Sequence, residues 1–196
     1  MKKAFTLVEL LVVIGIIGLL AAIVFPILSN AKLAAKDVAS NSNLSQIGKA
    51  YLIYCSEYDD RTPYVAETSI MVRLQRGLAS YGDYPQYVGQ IQIKQALFPY
   101  VQAEDIWRSP SDPGDSDDYA VSAYSELGTS YDTLYTSFCT GSLTGLRSPS
   151  ESGLLREGRF RRNRAYTWRS DGSTKLLSWP ISSSQMDNSL VDFGCN

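Results

Sequence analysis

Any chemistry in this chain is built without histidine, since none occurs among its 196 residues. That removes Ser-His-Asp and Cys-His nucleophile pairs, HExxH zinc sites and imidazole proton relays together. Other groups keep some chemical potential. Asp112, Asp115, Asp117 and Asp118 fall in the turn-rich run SPSDPGDSDD. Hard oxygen donors so close together could hold Ca²⁺, which takes roughly 6–8 oxygens. Their spacing is not that of an EF-hand, and a solvated acidic turn is the preferred reading. Arg156, Arg159, Arg161, Arg162 and Arg164 form a basic stretch that could neutralise DNA phosphates or pair with acidic loops of another chain. A net charge of −2 speaks against a nucleic-acid binder, so a solvated, partly paired loop is again preferred.

The cysteines are Cys55, Cys139 and Cys195, an odd number. In an exported protein this leaves one thiol free or paired between chains. Cys139 and Cys195 share the C-terminal half and are the first candidates for a bridge. Buried, reduced cysteines are an equally good reading.

The most informative single residue is Glu9. It stands inside FTLVELLVVIGIIGLLAAIVFPIL, the nearly unbroken apolar run from Phe5 to Leu28. About 20 apolar residues in a helix cross the ~30 Å hydrocarbon core of a bilayer. A carboxylate there costs on the order of 2.5–3.5 kcal/mol, and such residues usually have a function and a partner. If the chain is cut between Ala4 and Phe5, the new amine of Phe5 lies four residues before Glu9 on one helix face. Glu9 of one subunit can then neutralise the Phe5 amine of a neighbour, in a low-dielectric setting where each group is costly alone. A Glu that snorkels to the interface is the plain alternative. Lys2 and Lys3 keep the N-terminus cytoplasmic by the positive-inside rule, so the chain after Pro26 faces outward. A discarded secretory signal would have a shorter core and a small-residue cleavage site after it, for which Ala21-Ala22 is a weak match.

The elements that follow read as a small α+β domain. Leu44, Ile47, Tyr51, Tyr54/Cys55 and Tyr58 recur at three- and four-residue steps, a helical stripe fit to pack on a sheet. Ser40 to Asn43 either cap a second helix or fray a single one. The run DDRTP at Asp59–Pro63 ends the helix, because Pro63 steers Thr62 away from helical backbone. Short helices are expected around Ile70–Leu78 and Gln90–Leu97, the latter stopping near Pro99. Strand-like pieces cover Ser130–Phe138 and Gly153–Glu157. The clearest hairpin joins Tyr166–Arg169 to Thr174–Leu177 through Ser170-Asp171-Gly172-Ser173, since Asp-Gly between strand-like runs is a strong turn signal. Tyr166, Trp168 and Trp179 read as sheet packing.

KKA-FTLVELLVVIGIIGLLAAIVFP closely resembles the signal of type IV prepilins and type II secretion pseudopilins. The resemblance implies cleavage by prepilin peptidase at Ala4–Phe5, N-methylation of Phe5, Glu9 as the assembly glutamate and Pro26 as the residue that disturbs the helix. Ala4 stands where that family prefers Gly. Further along, SNLSQIGKAYLIYCSEYDDRTP (Ser42–Pro63), LFPYV (Leu97–Val101), SPSDP (Ser109–Pro113), Ser130-Tyr131 and SDGS (Ser170–Ser173) resemble a pilin-like family of environmental bacteria. That family's frequent cysteines fall here on Ser40 and Ser109, missing together as if one disulfide were lost. Its hairpin histidine is Ser173.

The resemblance implies a leader at 1–4, a transmembrane helix at 5–28, an amphipathic continuation at 29–60 and an extracytoplasmic globular domain at 61–196. It implies a structural subunit of a type IV pilus or a type II secretion pseudopilus, with prepilin peptidase, other pilin subunits and membrane lipid as partners and no cofactor. DNA is a further partner considered, without support beyond the arginines. A signal-anchored binding protein that never polymerises is the alternative. A membrane-tethered enzyme lacks any nucleophile-base motif.

Overall fold

A computed structural model describes residues 6–65, 80, 82, 91–112, 124, 128–133, 142–146, 150, 153–157 and 164–178. The chain divides into two compact units, 1–38 and 39–196. One helix, α1 (Leu7–Glu57), supplies all described residues of the first unit except Thr6 and continues into the second. Ser40–Asn43 neither cap nor interrupt it, and Pro26 lies inside it. Proline has no N–H to donate to the preceding turn, so one rung of the ladder is missing there.

The second unit is α+β. After α1 come α2 (Ile93–Leu97), a 3-10 helix (Glu104–Trp107) and four strands, β1 (Tyr131–Thr133), β2 (Gly153–Glu157), β3 (Arg164–Arg169) and β4 (Thr174–Ser178). The strands form one antiparallel meander in the order β1-β2-β3-β4. The β3–β4 turn is the expected Asp-Gly turn. Gly172 sits at φ +84°, where a side chain would be strained, and Asp171 Oδ1 accepts the Ser173 N–H at 2.8 Å. Between Gly153 and Leu155 the β2–β3 register shifts, because Gly153 pairs with Arg169 and Leu155 with Trp168. Such a bulge breaks the alternation of faces, and Leu154 and Leu155 are both fully buried.

The core is where the stripe on α1 meets this sheet. Leu44, Ile47, Tyr51 and Cys55 are buried together with Leu154, Leu155, Trp168, Tyr131 and Trp107. Gly48 lies on the same stripe directly under the indole of Trp168. A Cβ placed on Gly48 would come within 2.2 Å of Trp168 Cε2. Burying each large apolar side chain contributes about 1.5–3 kcal/mol.

Polar contacts fix how α1 meets the sheet. Ser40 of α1 and Ser109, which follows the 3-10 helix, are both fully buried, and their hydroxyls lie 2.8 Å apart. Glu157 at the end of β2 joins them. Its Oε1 accepts from Ser40 Oγ at 2.7 Å and also contacts Ser109 Oγ. Tyr131 Oη donates to the Ser40 carbonyl at 3.4 Å. On β1 and β2, Arg156 donates to Asp132 Oδ2 at 2.9 Å.

The expected helix end is present and is built by two aspartates in left-handed conformation, Asp59 (φ 51°) and Asp60 (φ 63°). Asp60 anchors a distant segment. Its Oδ2 accepts the Thr144 N–H at 2.9 Å, the Thr144 hydroxyl at 2.7 Å and the Ser142 hydroxyl. Those bonds, Ser142 first, hold its carboxyl below the ordinary aspartate value. The helix expected at 70–78 lies outside the described residues.

Candidate functional site

The first unit has a surface that water does not tolerate. Every Leu, Val, Ile and Phe from Leu7 to Leu28 is at least 45 % exposed, with Leu7 at 78 % and Phe25 at 69 %. These residues surround the helix on all sides rather than forming one stripe. A helix apolar all round is one made to be covered all round. Among the described residues α1 is the one helix long and apolar enough to cross a membrane. Between Leu7 and Ala31 its sole charged residue is Glu9.

Glu9 is held by its own helix start. Thr6 donates its backbone N–H and its hydroxyl to Glu9 Oε2, each at 2.8 Å, and the Glu9 N–H returns to Thr6 Oγ1 at 3.3 Å. This is the reciprocal capping box of Thr-x-x-Glu, which satisfies backbone donors left over at a helix N-terminus. Glu9 also places negative charge at the positive end of the helix dipole. Oε1 makes no hydrogen bond among the described residues. One oxygen therefore serves the helix, and the other is open to a cation from elsewhere. Thr6 was not among the residues singled out from the sequence. The Thr-x-x-Glu spacing is present there, but the carboxylate's cost in an apolar run is the stronger signal.

The other candidate residues divide between described and undescribed parts of the chain. Ala4, Phe5, Cys139, Cys195, Asp115, Asp117 and Asp118 lie outside the described residues. Asp112 does not sit in a solvated turn. It is 7 % exposed, and the Ser130 hydroxyl donates to its Oδ2 at 2.6 Å. Its job here is to fasten the start of β1. Among the described residues no cluster of three acidic or cysteine side chains is arranged to hold a metal ion. Cys55 is a free, buried thiol, pushed up to about 12 by desolvation first and by Asp60 second. A thiol so protonated is inert as a nucleophile. Arg156 is half-buried against Asp132 rather than solvated.

Residues 1–25 match the family described as the prokaryotic N-terminal methylation motif. The chain carries the type IV pilin signal. The motif spans Ala4, Phe5, Thr6 and Glu9 and ends one residue before Pro26. It supports the reading of a pilin-like or pseudopilin precursor. The motif and the long apolar α1 together point to a membrane anchor. No curated protein and no solved structure matches the chain.

Proposed function

We propose that this protein is a structural subunit of a type IV pilus-like or type II secretion pseudopilus filament. The observation that carries the reading is the coincidence, in one segment, of the methylation motif, an apolar surface exposed on all sides of α1 and a single carboxylate with one unused oxygen. Prepilin peptidase removes residues 1–4 and the new terminal Phe5 is N-methylated. The subunit waits in the cytoplasmic membrane with its N-terminus inside and its second unit outside. Assembly then moves α1 from lipid into a bundle of like helices.

The energetics assign different work to different residues. Lipid is as apolar as leucine, so helices in a membrane gain little from hydrophobicity against each other, and packing and polar pairs set the arrangement. The pair formed by Glu9 Oε1 and the Phe5 amine of a neighbour fixes axial register. Once the filament leaves the membrane, burial of the α1 apolar surface against other copies becomes the main stabilising term. The reading calls for no cofactor.

Replacing Glu9 tests the register role. Glu9→Leu is expected to leave the protein in the membrane fraction after alkaline extraction while sheared filaments fall at least tenfold. That fold-change corresponds to losing a single contact of about 1.4 kcal/mol or more. Filaments at wild-type yield from Glu9→Leu would refute the role.

A further inference from the structure

Just past its apolar run, α1 changes character over two turns. From Leu7 to Val38 its charged residues are Glu9, Lys32, Lys36 and Asp37. Lys36 follows Lys32 by four residues and Ser29 precedes Lys32 by three, so the three side chains leave the helix within about 60° of one another. Lys32 is exposed and Lys36 partly so. Neither makes a hydrogen bond or an ion pair among the described residues. Asp37 sits about 100° further round than Lys36 and already has a partner in its own chain. Leu33, 59 % exposed, keeps an apolar side chain beside the lysines.

Their place along the helix selects the partner. The apolar run ends at Leu28, and Lys32 follows it by about 6 Å of helix rise and Lys36 by about 12 Å. Side chains on a helix lean toward its N-terminus, and a lysine stem lies along apolar surface while its ammonium seeks a polar layer. Both ammonium groups are thereby drawn back into the headgroup layer, which adds about 5–8 Å to each side of the hydrocarbon core. In the proposed orientation this is the outer flank, where the positive-inside rule gives lysine no topological task. Parallel copies at one depth in the membrane set lysine beside lysine and repel. Lipid phosphate carries the complementary charge at that depth. Choline or ethanolamine balances it within the lipid, whereas an anionic phospholipid leaves it uncompensated.

We infer that Lys32 and Lys36, with the Ser29 hydroxyl, bind the phosphate of an anionic phospholipid in the extracytoplasmic leaflet. The bound lipid fixes the depth at which the subunit waits, and it must be given up when α1 leaves the membrane. The inference rests on the membrane orientation of the filament reading and adds a ligand to it.

The test uses the full chain reconstituted in vesicles of equal parts phosphatidylcholine and phosphatidylglycerol. Leu33→p-benzoylphenylalanine is irradiated and its lipid adducts are identified by mass spectrometry. Position 33 samples lipid on this flank alone, so Lys2 and Lys3 at the other end do not contribute. Phosphatidylglycerol adducts are expected to exceed phosphatidylcholine adducts about tenfold. Lys32→Gln with Lys36→Gln is expected to bring the ratio close to even, and Lys32→Arg with Lys36→Arg to preserve it. An even ratio with both lysines present overturns the inference. So does a preference that survives the glutamine pair, or a covalent dimer in place of a lipid adduct. Filament formation by the unmodified chain is scored separately in cells. Anionic adducts without filaments would sink the filament reading and leave the lipid site on a membrane-anchored protein. Filaments together with an even adduct ratio overturn the lipid site alone.

Discussion

Ser40 Oγ and Ser109 Oγ touch at 2.8 Å although 69 residues separate them in sequence, and both are shut away from solvent. By the resemblance noted in the sequence, these two positions correspond to cysteines frequent in the pilin-like family. A lone cysteine there would face a serine, whereas two serines can share hydrogen bonds with Glu157. The polar trio ties α1 to β2 and to the segment after the 3-10 helix, a non-covalent tie between the same two chain positions.

Introducing a covalent tie between these positions is therefore expected to succeed. Ser40→Cys with Ser109→Cys should form a disulfide under oxidising conditions, seen as faster migration on non-reducing gels. Closing a loop of 69 residues is worth about 4 kcal/mol in the chain-entropy account. Glu157 would lose its hydroxyl partners, at a cost of about 1–3 kcal/mol. The net expectation is a melting temperature several degrees above wild type that returns toward or below it on reduction. A double variant whose thiols both stay free in oxidant would show that the two backbones do not present the geometry a disulfide requires.

The same trio makes stability depend on pH through Glu157. Three short oxygen contacts join Ser40 Oγ, Ser109 Oγ and Glu157 Oε1. Two hydroxyls supply two protons, so the third contact is satisfied only when the carboxyl carries one. Burial, the larger effect, raises the Glu157 pKa above its ordinary 4.5, and nearby Asp112 adds to the rise, while bonds from Ser109 and Ser40 oppose it. A carboxyl with a raised folded pKa contributes stability that is fully present below its unfolded value and is lost as pH climbs through the folded value. Glu157→Gln keeps one acceptor and adds donors, so it imitates the protonated acid. Wild type and Glu157→Gln should melt together near pH 4.5 and diverge above it. The variant should become the more stable by about 1–3 kcal/mol, the typical cost of a buried polar group left unsatisfied. Melting curves that run parallel from acid to alkaline pH would contradict the neutral trio.

Gly48 is expected to resist the smallest possible enlargement. In an exposed helix interior, Gly→Ala stabilises by about 1 kcal/mol. At position 48 the added methyl would overlap the indole of Trp168, which is 1 % exposed and cannot swing outward without opening the core. Gly48→Ala should thus lower stability by about 1–3 kcal/mol, the usual cost of overpacking. Trp168→Leu, which makes room, should recover part of the loss when combined with it. An alanine at 48 that leaves the melting temperature unchanged would mean that α1 and β3 are not held in this close approach.

How far the fold could be read beforehand differs from element to element, for physical reasons. The β3–β4 hairpin was legible because Asp171-Gly172 encodes its turn locally, and β2 matches its expected span of Gly153–Glu157 residue for residue. The stripe of Leu44, Ile47, Tyr51 and Cys55 was legible because helical periodicity is a local property. The long-range ties were not. Asp112 belongs to an acidic, turn-rich run that reads as solvated, and only the fold brings the Ser130 hydroxyl to it. Asp60 reads as a helix terminator, and its grip on Ser142 and Thr144 depends on chain 82 and 84 residues further on. At the N-terminus Glu9 stood out by its energetic cost, while its partner Thr6 had to be seen in place.

The most direct test of the account is the intact mass and N-terminal sequence of the protein recovered from native membranes. The account predicts a chain that begins at N-methylated Phe5, with residues 1–4 absent and α1 retained. A chain that still begins at Met1 or Lys2, or one that starts beyond Ala22, would contradict it.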